Sequence, residues 1–191
     1  FRWLTAFAVL AAFAGASAAH GPTRQKVVET LTIDAPPDKV WGVIRNFDAL
    51  KDWHPAVAES PATKGNDEGS VRQLKLKSGG ALTETLEAYD AAKMRYSYRA
   101  KDGGALPVTN YTSTITVKAD GKGSLVEWRG AFYRGYPNND PPPDQNDEAA
   151  VAAVTVRWPI LRARRGSALP YRCKCTPGRA SSAGQSGSRG A

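Results

Sequence analysis

A strand-like run that ends in two prolines constrains this chain more than any other feature. Residues 27–33 (VVETLTI) alternate in part and are rich in Val, Thr and Ile, which favours an extended strand. Asp34 and Ala35 then lead into Pro36 and Pro37. Proline has no N–H, and the first turn of a helix needs none, so the pair marks the start of a helix. Asp34 is expected to accept hydrogen bonds from the free amides of that first turn. Val40, Ile44 and Phe47 recur at i, i+4 and i+7, with Trp41 and Val43 beside them, so one face of the helix is apolar. Asn46 and Asp48 permit a break. Asp48 can cap a short second helix that reaches Trp53-His54, where Pro55 stops it.

Residues 57–133 read as consecutive antiparallel strands. The breaks carry glycine: Asn66 to Gly69, Gly79-Gly80, Gly103-Gly104 and Asp120 to Gly123. The alanine-rich stretch 144–155 begins a third helix, with Asp144 or Asn146 as its cap. A strand, two short helices, a meander and a last helix make an α+β domain over 25–155. No internal repeat and no second domain is visible in the sequence.

Strand alternation indicates which side chains turn inward. Arg72, Leu74 and Leu76 share one face of their strand, as do Leu82, Glu84, Leu86 and Ala88. Met94, Tyr96, Tyr98 and Ala100 form a third set, and Tyr111, Ser113, Ile115 and Val117 a fourth. The last strand is ambiguous, with Glu127, Arg129 and Ala131 on one face and Trp128 and Phe132 on the other. The expected inner face is thus partly polar. Charges removed from water must be paired, and Arg72, Glu84, Glu127 and Arg129 could neutralise one another around a wet cavity. Tyrosine walls with a few placed polar groups suit a small-molecule site. The other reading places these charges at strand ends, in solvent.

The Ala35-Pro36 to Trp41 helix start, Trp53-His54-Pro55, the run LTETLE at 82–87 and the run LPVTNYTS at 106–113 together resemble the START/Bet v 1-like (SRPBCC, polyketide cyclase-like) superfamily. The resemblance covers most of 25–155. It implies a helix-grip fold: a curved antiparallel sheet, two short helices and a C-terminal helix around a cavity. It also implies that Tyr111, Ser113 and Glu84 line the pocket, and that His54 faces the ligand. The segment from Tyr136 to Ala150 (YPNNDPPPDQNDEAA) is similar to MxaD-type periplasmic proteins of methanol oxidation. That similarity implies an accessory role for a methanol dehydrogenase and its cytochrome c partner. Two other roles stay open in the superfamily: a polyketide cyclase or aromatase, and a carrier of a lipid or other hydrophobic molecule. For the cyclase, His54, Glu84 and Tyr111 are the candidate acid–base groups.

The ends supply a location and a puzzle. Arg2, an apolar run from Trp3 to Phe13 and the small residues Ala16-Ser17-Ala18 have the order of a secretory signal over 1–18, so a periplasmic protein is expected. Residues 156–191 hold eight Lys or Arg and no acidic residue, while the remaining 18 basic residues match all 18 acidic ones. The net charge of +8 therefore belongs to this tail, and the domain itself lacks the basic excess of a nucleic-acid binder. After Thr155 the helical pattern gives way to Arg, Gly, Ser and Pro without periodicity, as a disordered tail or a shifted reading frame would. Cys173 and Cys175 form one Cys-x-Cys with little histidine elsewhere, too few ligands for a zinc site. No metal and no cofactor is expected.

Overall fold

The computed structural model describes residues 21–155. The expected signal segment, the basic tail and both cysteines lie outside the described residues. Seven strands are formed: β1 Gln25–Ile33, β2 Val57–Glu59, β3 Val71–Leu76, β4 Ala81–Asp90, β5 Arg95–Asp102, β6 Val108–Asp120 and β7 Gly123–Arg134. The helices are α1 Pro37–Ile44, α2 Leu50–Trp53 and α3 Asp147–Val154, with a 3₁₀ turn at Phe47–Ala49.

The strands make one antiparallel sheet in the order β1-β7-β6-β5-β4-β3-β2. β1 and β2 are therefore its two edges, although only α1, the 3₁₀ turn and α2 separate them in sequence. These helices must cross the concave side of the sheet to join one edge to the other. α1 packs on β6 and β7, and α3 packs on β7 and β1. The α+β helix-grip arrangement read from the sequence is the one observed.

Among the described residues the register shifts at three places, one of them in β2 between Val57 and Glu59. In β4, the β5 partners shift between Leu86 and Ala88, leaving Glu87 extra. In β6, the β7 partners shift between Thr109 and Thr112, next to Asn110 at φ 49°. A bulge adds one residue to a strand and reverses the alternation beyond it. This corrects one expected face. Ala88 does not turn inward; Tyr89 does, paired with Tyr96 and stacked on its ring at 6.3 Å.

The helix starts are capped differently from the expectation. Asp34 is exposed and caps nothing. Pro36 is the cap residue, held at φ −59° and ψ 148°, and its carbonyl accepts from Lys39 and Val40 at 3.0 and 3.2 Å. The prolines shift the cap two residues past Asp34, out of the reach of its carboxylate. Asp48 sits inside the 3₁₀ turn and does not cap with its side chain either. Its place is taken from afar: Phe47 N donates to Asn66 Oδ1 at 2.8 Å, and Lys51 N donates to the buried Ser60 Oγ at 3.0 Å. At α3, Asn146 is the cap, accepting from Ala149 N at 2.8 Å.

Gly104 locks the turn between β5 and β6 onto β4. It has φ +55°, and a Cβ there would stand 2.3 Å from the Ala81 carbonyl oxygen. Gly121, in the β6–β7 turn, has φ +59° with open space around it. Gly121→Ala should thus cost only the left-handed strain, about 1 kcal/mol, whereas Gly104→Ala should cost roughly 3 kcal/mol or more because a backbone atom blocks it. Urea denaturation of the two variants measures the difference.

Candidate functional site

A cavity of about 230 Å³ opens between the concave face of the sheet, α2 and the end of α3. Its apolar walls come from Leu50, Val57, Leu74, Leu76, Leu82, Leu106, Ala153 and Val154. Its polar groups are His54, Ser78, Glu84, Tyr98, Tyr111 and the indole of Trp128. The helices thus supply one wall and the sheet the other, which explains why the chain must cross from edge to edge.

Behind Glu84 lies Arg72, its direct cross-strand partner. Both are buried, Arg72 completely. Arg72 donates from Nε and Nη2 to the single oxygen Glu84 Oε2, at 3.0 and 2.5 Å, and from Nη1 to the Phe47 carbonyl at 2.6 Å. Its guanidinium lies 4.0 Å from the Phe47 ring centroid and 5.1 Å from that of Tyr98, as cations favour over aromatic faces. Burial would lower its pKa, but the Glu84 charge and the tyrosines outweigh that and raise it. Arg72 is therefore a fixed cation with its donors committed to the protein.

The other groups are held neutral. His54 is buried, and burial, then the charges of Arg72 and Lys77, lower its pKa to about 4. Its Nδ1 accepts from Ala56 N at 3.3 Å, so Nε2 carries the proton. Burial raises Tyr96 and Tyr111 to about 12 and Tyr98 well above its ordinary value. Trp128 Nε1 donates to Ser113 Oγ, which donates in turn to the Arg129 carbonyl at 3.0 Å.

The residues singled out in the sequence divide into three groups. His54, Glu84, Tyr98 and Tyr111 reach the cavity. Arg72, Tyr96 and Ser113 turn inward but stand behind it: Arg72 holds Glu84, Ser113 holds Trp128, and Tyr96 packs among Trp41, Phe47 and Tyr89. Glu127 and Arg129 are on the opposite, outer face. Glu127 pairs there with Arg129 at 2.9 Å and with Lys118 at 3.4 Å, and Arg129 borders an outer groove across β1, β7 and β6. The reason is register: Trp128 stands opposite Ile115, an inward residue of β6, so its neighbours must point out. The expected four-charge cluster is therefore a buried pair inside and a separate solvated group outside.

Sequence reasoning missed Trp128 as a wall, and Arg134 altogether. Arg134 is buried and donates to the carbonyls of Tyr136 and Asn138 and, at 3.3 Å, to Asp147 at the start of α3. It fixes the proline-rich loop and the foot of the helix that closes the cavity. The signal was present, since Arg134 shares the alternation of Trp128 and Phe132. Among the described residues, no group of His, Cys, Asp and Glu could hold a metal ion, and no helix is long and apolar enough to cross a membrane.

Residues 24–162 match the model of the polyketide cyclase/dehydrase and lipid transport family. An abscisic acid receptor of Arabidopsis thaliana, PYL10, is 35% identical over 92 residues, 46% of this chain. The chain spans about half (50%) of that receptor's length. The solved structure of the protein XoxI from Bacillus cereus is 33% identical, covering 66% of this chain and 82% of that one at a TM-score of 0.55. The Zhui aromatase/cyclase of a Streptomyces species shares the fold at 20% identity, over 69% of this chain and 85% of its own, with a TM-score of 0.57.

Two measurements test this electrostatic picture. Glu84→Gln or Arg72→Met alone should cost about 3–5 kcal/mol in urea denaturation, because each leaves the other group buried without its partner. The double variant Arg72→Met/Glu84→Leu should be nearly neutral, which strict additivity of the single losses forbids. The second concerns pH. The folded His54 has a pKa of about 4 against an ordinary 6.5, so between these values the unfolded chain takes up the proton first. Its contribution is complete above the ordinary pKa and drains as pH falls, by about 2 kcal/mol between pH 7 and pH 5. His54→Gln should remove this part of the slope in denaturation curves taken over that range.

Proposed function

We propose a binding function on a simple premise: this chain belongs to the polyketide cyclase/dehydrase and lipid transport family. Its cavity holds a small, mostly apolar molecule and performs no chemistry on it. The observation that carries this reading is the protonation of the walls. A general acid or base works best with a pKa near the operating pH. His54 at about 4 is a weak base, and Tyr111 at about 12 is a weak acid. Glu84 is occupied by Arg72 on one oxygen. Of the three groups that a cyclase would call upon, His54 and Tyr111 are shifted away from neutral pH and Glu84 is tied to Arg72, whereas all suit hydrogen bonding to a bound molecule.

Volume narrows the occupant. Sites for drug-sized ligands span roughly 300–1,000 Å³. A cavity of about 230 Å³ fits a one-ring compound or a short chain better than a two-tailed lipid or a multi-ring polyketide. The carrier role is thus retained for small cargo, ahead of the aromatase role.

The finer reading is a periplasmic accessory protein for a methanol dehydrogenase and its cytochrome c. It is supported by the leader-like order of residues 1–18 and by the similarity of 136–150 to MxaD-type proteins. The loop in that second stretch is the one that Arg134 anchors to β7, so it has a defined shape to offer a partner.

Two experiments test these statements. Solvent extraction of the purified native protein, followed by mass spectrometry, should release one small non-covalent compound; repeated recovery of empty protein would count against the binding function. Ala153→Trp fills the cavity from α3 and should lower occupancy at least about tenfold with the fold retained. A pull-down from periplasmic extract should return a quinoprotein dehydrogenase or a cytochrome c, and its failure to return either would remove the accessory role alone.

A further inference from the structure

The cavity contains a buried ion pair, but it presents only one of the two charges. Glu84 lines the cavity and Arg72 does not. Arg72 spends Nε and Nη2 on Glu84 Oε2 and Nη1 on the Phe47 carbonyl, and its guanidinium lies against the Phe47 and Tyr98 rings. Both bonds to Glu84 end on the same oxygen. Among the described residues Oε1 receives no hydrogen bond, and it is not sealed from solvent. A carboxylate oxygen without a hydrogen-bond partner therefore looks into a chamber whose other lining groups are uncharged.

The remaining polar groups of the wall include no cation. His54 offers Nε2–H, a neutral donor, because Ala56 N occupies Nδ1. Tyr98 and Tyr111 are neutral phenols. The charges of Arg72 and Lys77 both act on His54, but neither side chain is part of the cavity wall. A carboxylate entering the chamber would meet Glu84 with no cation facing it, at the loss of its own hydration. A hydroxyl or an amine would instead give a proton to Oε1, in a charge-assisted hydrogen bond of the stronger kind.

We propose that the cavity selects ligands whose polar end is a hydrogen-bond donor, a hydroxyl or an amine on an apolar body, and rejects carboxylates. This rests on the binding function above and adds the chemical class of the ligand.

The test uses the full chain and three one-ring probes of matched size: benzyl alcohol, benzylamine and benzoate. Calorimetry gives the affinities, and the Trp128 indole N–H resonance reports whether binding occurs in the cavity. The alcohol and the amine should each bind at least about tenfold more tightly than benzoate at pH 7, with Trp128 shifted. In the double variant Arg72→Met/Glu84→Leu the preference should fall to about twofold or less, since the acceptor is gone. Benzoate binding as tightly as the donors, or a preference that survives in the double variant, overturns the selectivity while leaving the binding function standing. If no probe shifts Trp128, the binding function fails and the selectivity with it.

Discussion

The contact between Arg72 and Glu84 is the constraint on which the rest of the structure depends. A buried guanidinium is tolerable only when its donors and its charge are both answered. Here the answer draws on three distant parts of the chain. β4 supplies the carboxylate, the 3₁₀ turn after α1 supplies the Phe47 carbonyl, and β5 supplies the face of Tyr98. Satisfying one side chain therefore fixes the crossing helices over the sheet at a set height. That height is what leaves a cavity between α2 and β3 rather than a filled core. Ser60 and Asn66 reinforce the placement by capping the 3₁₀ turn and α2 from the loop before β3. The pair adds geometric definition more than net stability, because well-packed apolar residues could replace both at similar cost.

Most of the architecture was legible because the local signals agreed. Pro36 and Pro37 suit the first turn of a helix, and Val40, Ile44 and Phe47 share one face. Alternation correctly turned Arg72, Glu84, Tyr98, Tyr111 and Ser113 inward. It failed where a strand changed its count. Glu87 is one residue too many in β4, so Tyr89 took the inward place expected of Ala88. Such an extra residue is decided by curvature of the whole sheet, which no single strand reveals. In β7 both faces carry large and polar groups, and only the pairing of Trp128 with Ile115 decides between them. The misplacement of Glu127 and Arg129 is a register problem, not a misreading of their chemistry: they do pair, but in solvent.

The capping residues show the same limit on a smaller scale. Asp34 and Asp48 have the right side chains and stand at nearly the right positions. Yet the amides they were expected to satisfy are met by a proline carbonyl, by Asn66 and by Ser60. A donor buried against a loop is best served by that loop, and a surface aspartate gains more from water. Local preference names the residue types that can cap; tertiary proximity chooses among them.

The cavity's chemistry follows from the same competition between burial and charge. Removing His54 and the tyrosines from water costs most for their charged forms, so each rests in its neutral state. Arg72 is the exception because a carboxylate meets it directly, and its hydrogen bonds go to Glu84 and Phe47 rather than into the cavity. The outcome is an asymmetric chamber, apolar over most of its wall with one carboxylate oxygen exposed in it. Catalysis of proton transfer would need the opposite arrangement, with groups left near their ordinary pKa values and open to a substrate. Burial that moves His54 and Tyr111 away from neutral pH leaves them as hydrogen-bonding groups, and the exposed Glu84 oxygen beside them fixes where a bound molecule's donor would be met.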